Sequence, residues 1–166
     1  METRTPKFVT RTLLDQILAG HGPGWTETHI KNEGRKAAVI LDLNPCYPPE
    51  FSHQPVELWH GILGEKNPEN WDPDRNYHEF ALAKARAAWR TKVSNSVMFG
   101  SFPELVEKDD FKYIGGINER GLVIAVSGLK SGEIDEQVAR EFSKILATNV
   151  HANLTLSRED KSSFFF

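Results

Sequence analysis

A lone cysteine, Cys46, leaves this chain no partner for an internal disulfide, and no run of residues is long or apolar enough to read as a signal peptide or a membrane span. Both absences predict a cytoplasmic protein in a reducing setting, without membrane insertion. Excess charge is missing too. The 20 Lys and Arg are scattered among 23 Asp and Glu, so no basic stripe exists for a nucleic-acid backbone and nucleic acid is not an expected partner. His21, His29, His53, His60, His78 and His151 show neither HExxH nor CxxC spacing, so the pattern predicts no metal centre. What is present is an ordinary apolar content of 39% in 166 residues, enough to build one compact domain over residues 1–166 without staples.

Periodicity gives the element order. Leu13, Leu14, Ile17 and Leu18 share one face of a helix from Thr10 to Ala19, stopped by Gly20 and Gly22. A weakly helical polar stretch, Trp25 to Lys36, precedes the near-continuous apolar run Ala37 to Leu43, which reads as a central strand. The prolines of Asn44 to Pro49 impose an irregular loop, because proline neither donates ladder bonds nor continues a helix. Gln54 to Leu63 alternates as a second strand. Asp72-Pro73 is a helix-start signal for a long helix to Lys92. Ser94 to Phe102 alternates as a third strand, and Asp109 to Ile117 with Leu122 to Leu129 form a hairpin whose loop carries Gly121. A last helix spans Gly132 to Ala147, and from about residue 151 a polar tail ends in Phe164-Phe165-Phe166, too apolar to hang free: it docks on the domain or on a neighbour.

Chemistry-bearing residues are few. Lys84 interrupts an apolar helix face made by Tyr77, Phe80, Ala81, Ala87 and Ala88; such a lysine meets a carboxylate, binds an anion, acts in proton transfer, or snorkels to water. Arg86 and Arg90 fall on the opposite, solvent side. The turn Ser127-Gly128-Leu129-Lys130-Ser131-Gly132 joins a strand to a helix amino end, where backbone amides and partial positive charge suit an anion, although the phosphate-loop spacing is absent. Gly115-Gly116 permits close backbone approach, by a ligand or by a packed neighbour. His60 lies on an apolar strand face beside Leu58 and is the first candidate for an axial ligand.

From Leu58 to Leu146, about half the chain, the sequence resembles the HbpS/GlcG-like, or haem-degrading domain, family, in particular its stand-alone microbial and fungal branch. The matching features are Leu58-Trp59-His60-Gly61, Pro73-Asp74 with Asn76, Lys84-Ala85, Ser94 and Ser96, Gly115-Gly116, Val126-Ser127-Gly128-Leu129 and Asp135. Phe80 stands where that branch carries Trp, and the amino-terminal part is divergent. The resemblance implies an α/β fold, a three-layer α/β/α sandwich around a mainly antiparallel sheet of about five strands, in a homo-oligomer. It implies a small-ligand-binding protein, for haem or another anionic organic ligand, held near Lys84, Gly115, Gly116, Ser127 and Gly128, with Trp59 added from the first motif. Two alternatives stay open: a metal-independent isomerase, cyclase or lyase using Lys84, His60 or Asp135 as acid or base, and an oligomeric scaffold or adaptor that docks through Arg86, Arg90 and the terminal phenylalanines.

Overall fold

A computed structural model of the chain describes residues 4–166. Strand β1 (Ala37–Leu43) is buried at all of its positions, as its unbroken apolarity requires of a strand covered on both faces. It pairs antiparallel with β2 (Glu57–Gly64) on one side and β4 (Leu122–Ser127) on the other. Strand β3 (Gly116–Glu119) completes the antiparallel order β2-β1-β4-β3. Alternation along β1 then divides the core. Ala38 and Ile40 pack beneath helices α1 (Arg11–Trp25) and α4 (Gly132–Glu159), with Leu14, Ile17, Phe142 and Leu146. Val39, Leu41 and Leu43 face α2 (Tyr77–Thr91) through Ala81, Ala85 and Ala88. Helices on both faces of one antiparallel sheet give the expected α/β sandwich. Among the described residues no helix is long and apolar enough to cross a membrane.

The sheet has four strands rather than five because Ser94 to Phe102 is not a strand. It is helix α3 (Asn95–Ser101), whose first turn closes on Ser94. The three polar residues that open it are occupied elsewhere: Ser94 Oγ accepts from Asn118 N, Asn95 Oδ1 accepts from Gly116 N, and Ser96 Oγ donates to Glu136. These bonds staple α3 between β3 and α4. The alternation of Val97, Met98 and Phe99 is too short to separate the two periods. The hairpin is real but lopsided, since its first strand begins only at Gly116. Asp110 is gripped by both Arg90 guanidinium nitrogens, at 2.9 and 2.7 Å, and Phe111 stacks on Phe80 with ring centroids 4.7 Å apart. The segment before Gly116 is thereby lifted off the sheet. At the turn, Arg120 and Gly121 both have positive φ, 55° and 78°, the pair of left-handed residues that a two-residue hairpin loop of matching twist demands.

Helix boundaries also move. Helix α1 runs past Gly20 and Gly22 and through Pro23 to Trp25, then widens into a π-helical segment over Thr26–Lys31. Helix α2 starts at Tyr77, where the Asn76 side chain accepts from Glu79 N, rather than at Asp72. Helix α4 continues to Glu159, so the polar tail expected from residue 151 is helical over most of its length. Phe164, Phe165 and Phe166 are all exposed, and the Phe166 ring meets Phe8 edge-on at 5.7 Å.

Two glycines have opposite expected responses to alanine. A Cβ on Gly20, in mid α1, meets nothing within 4 Å, so Gly20→Ala should stabilise by about 0.5–1 kcal/mol through lower unfolded-state entropy. A Cβ on Gly115 would lie 2.5 Å from Val126 O and 2.8 Å from Lys84 Nζ, at φ +150°; Gly115→Ala should destabilise by more than about 1 kcal/mol. Denaturant midpoints of the two variants, moving apart in these directions, check both.

Candidate functional site

The strand-to-helix turn after β4 builds one end of a cleft. Gly128 holds φ 122° against the start of β1, and Ser131 caps α4 by accepting from Ile134 N through its side chain at 3.3 Å. The amino ends of α2 and α4 and the lifted 111–113 segment surround a space of about 900 Å³. Its character is mixed. Phe80, Phe111 and Tyr113 form an aromatic wall, the first pair stacked and the last pair meeting edge-on with centroids 5.4 Å apart. Arg35, Arg75 and Lys130 line it together with Ser127, Gly128 and the first residues of α4, so cations and a helix amino end converge on an apolar surface.

Lys84 and Asp135 lie at its base. Lys84 is only 2% exposed; its Nζ donates to Asp135 Oδ2 at 2.9 Å and to Val126 O at 3.1 Å, and stands 5.7 Å from the Phe111 ring centre. Asp135 Oδ1 accepts from Leu129 N at 3.0 Å. Burial pushes the Asp135 carboxyl above its ordinary range, while Lys84 and the Leu129 N–H pull it back. The two groups thus satisfy one another, which is the ion-paired reading of a lysine on an apolar helix face. Of the other cations, Lys130 pairs with Glu33 at 3.1 Å and Arg35 Nε donates to Gly128 O at 3.1 Å. Arg75 is exposed and enters no ion pair among the described residues.

The structure therefore brings together Lys84, Asp135, Ser127 and Gly128. Gly115 and Gly116 adjoin this group without lining the cleft. Their missing side chains admit Lys84: a Cβ on Gly116 would sit 2.5 Å from Lys84 O. Trp59 is elsewhere, in the core under α1 and α4, stacked on Phe142 at 5.5 Å with its Nε1 donating to Asp15 Oδ1 at 2.8 Å. His60 is also apart, exposed on the edge strand β2 beside Glu57 and His78. Among the described residues no His, Cys or Met lines the cleft, so its donors do not fit a haem with His60 as axial ligand. Sequence reasoning missed Phe111 and Tyr113, because only the lifting of residues 109–115 off the sheet brings them to the cleft, and it missed Arg35 and Arg75, which reach the same space from the segments before β1 and α2. The chain matches no protein-family model, no curated protein and no solved structure.

Proposed function

We propose that this chain is an HbpS/GlcG-like protein that binds a small anionic organic ligand with a flat apolar portion, acting as a homo-oligomer in the cytoplasm. The observation that carries the reading is the cleft: an aromatic wall of Phe80, Phe111 and Tyr113 lines the same space as Arg35, Arg75 and the amino end of α4. An aromatic surface takes the flat portion, and the cations with the helix end take the carboxylate or phosphate. Family membership is supported by the gathering of Lys84, Gly115, Gly116, Ser127, Gly128 and Asp135 at one place, although they come from four segments of the chain. The cytoplasmic setting rests on Cys46, which has no disulfide partner.

The test is a thermal-shift and calorimetric titration with aromatic carboxylates such as benzoate and naphthoate, against succinate as an anion without a ring. Saturable stabilisation by the aromatic acids is expected, with succinate weaker. Arg75→Ala should weaken the aromatic acids by about tenfold or more, since a hydrogen bond to a charged group is worth about 1.5–3 kcal/mol. Its own thermal midpoint should stay that of the parent, because Arg75 is exposed. Absence of saturable binding, or equal affinity in Arg75→Ala, defeats the reading. Native mass spectrometry reads the assembly directly, and a monomer would remove the oligomer from it.

A further inference from the structure

On the far side of α2 from the cleft, a small irregularity in β2 gathers three ligating side chains. In a regular strand residues 57 and 60 point to opposite faces. Here the pairing of β2 with β1 slips: Leu41 faces His60, Asp42 faces Trp59, and Leu43 faces Glu57, so Leu58 is the extra residue of a bulge. Leu58 turns into the α1 and α4 core, and Glu57 comes onto the same face as His60. The start of α2 at Tyr77 then places His78 over the pair, with the His60 and His78 ring centres 4.8 Å apart.

The resulting geometry is that of a metal site. Glu57 Oε1 lies 3.1 Å from His60 Nδ1 and 2.8 Å from His78 Nε2, and one ligand atom from each residue falls within 4.8 Å of the others. Metal bonds of about 2.0–2.1 Å in a tetrahedral arrangement set neighbouring ligand atoms roughly 3.3 Å apart, so the two carboxylate–imidazole spacings need only open by a few tenths of an ångström, and the two imidazoles, whose ligand atoms lie within 4.8 Å, close on the ion by side-chain rotation. In its absence the same atoms are joined by imidazole N–H donation to the carboxylate. Exchanging those protons for a metal needs each ring proton to move to the outer nitrogen. Neither outer nitrogen, His60 Nε2 or His78 Nδ1, is held by another side chain or carbonyl among the described residues, so the required tautomers are accessible. The three side chains are 46%, 35% and 32% exposed for His60, His78 and Glu57, which leaves a side open for water as a further ligand.

We propose that Glu57, His60 and His78 form a binding site for a divalent transition metal of the zinc class, clamping the bulged end of β2 to the first turn of α2. Two imidazoles and one carboxylate select zinc, cobalt, nickel or copper over magnesium and calcium, which prefer oxygen donors. The site is independent of the cleft and does not share a residue with it.

Zinc and cobalt chlorides, titrated into the whole chain after chelator treatment, test it. One equivalent of Zn²⁺ should bind and raise the thermal midpoint in proportion to the logarithm of free metal, Mg²⁺ should not, and Co²⁺ should give visible d–d bands of a nitrogen and oxygen site. His60→Ala and His78→Ala should each weaken Zn²⁺ by at least about tenfold, a loss that even the outer-sphere partners of a metal can cause. Their partial exposure leaves the metal-free midpoint close to the parent, so lost binding is not lost folding. No saturable uptake overturns the proposal. So does Zn²⁺ binding that persists undiminished in the His60→Ala/His78→Ala double variant, because the ion would then sit on Cys46 or on another histidine.

Discussion

Replacing Lys84 by methionine should lower the unfolding free energy by about 3–5 kcal/mol, since it strands the Asp135 carboxylate in the interior with one remaining hydrogen bond, from Leu129 N. Asp135→Asn should be damaging for the mirrored reason, leaving an ammonium that keeps only Val126 O and the Phe111 face. The double variant Lys84→Met/Asp135→Asn carries no buried charge at this pair, and the new amide still accepts from Leu129 N. Its loss should therefore be much smaller than the sum of the two single losses, by up to about 3 kcal/mol. Guanidinium unfolding of the four proteins closes the cycle. Strictly additive losses would mean that the two side chains do not interact, and the base of the cleft would have to be redrawn. The same arithmetic bears on any acid–base role for Lys84. Activity lost in Lys84→Met reports on folding unless the double variant, with its stability recovered, is equally inactive.

How far the chain could be read from its letters depended on what each element rests upon. Strand β1, the buried face of α2 and the last helix were legible because burial imposes a period, and the period survives in the sequence. The position of Lys84 on that face was legible for the same reason. The helix at Asn95–Ser101 was not: it is fixed by side-chain bonds to Asn118, Gly116 and Glu136, partners 20 or more residues away that no local pattern announces. The aromatic wall was hidden in a similar way. Phe111 and Tyr113 read as strand residues, and it is the grip of Arg90 on Asp110, which also holds that carboxyl below its ordinary range, that diverts their segment over Lys84. By helical spacing alone Arg90 reads as a solvated surface charge. The bulge at Leu58 is a third instance, since it reverses the face of Glu57 and thereby the company His60 keeps. Asp42, an acid in the middle of an otherwise apolar strand, is by contrast plain in the letters themselves.

Asp42 is fully buried, and neither of its carboxylate oxygens has a hydrogen-bond partner. Alternation along β1 sets it on the α1 and α4 face, with Trp59 and Ile124 as cross-strand neighbours. Burial without compensation pushes its pKa well above the ordinary 3.8. The sign of the consequence follows from proton counting. Between 3.8 and the raised native value, the folded chain keeps a proton that the unfolded chain releases, so stability falls as pH rises through that window, by about 1.4 kcal/mol per pH unit, and is constant below it. Two substitutions separate the terms. Asp42→Asn removes the titration but keeps an unpartnered polar group, so its advantage over the parent should vanish near pH 3.5 and grow with pH. Asp42→Val removes both and should stabilise at every pH, with an offset of about 1–3 kcal/mol even in acid for the unmade hydrogen bonds. Unfolding free energies measured from pH 3.5 to 7 decide the matter. If parent and Asp42→Asn run parallel across that range, the carboxyl has found a partner in solution, such as a buried water or a neighbouring donor, and Asp42 is an ordinary satisfied core residue. If they diverge, the centre of β1 holds a carboxylic acid that keeps its proton above the ordinary carboxyl range, and the fold tolerates a penalty that an apolar side chain would remove.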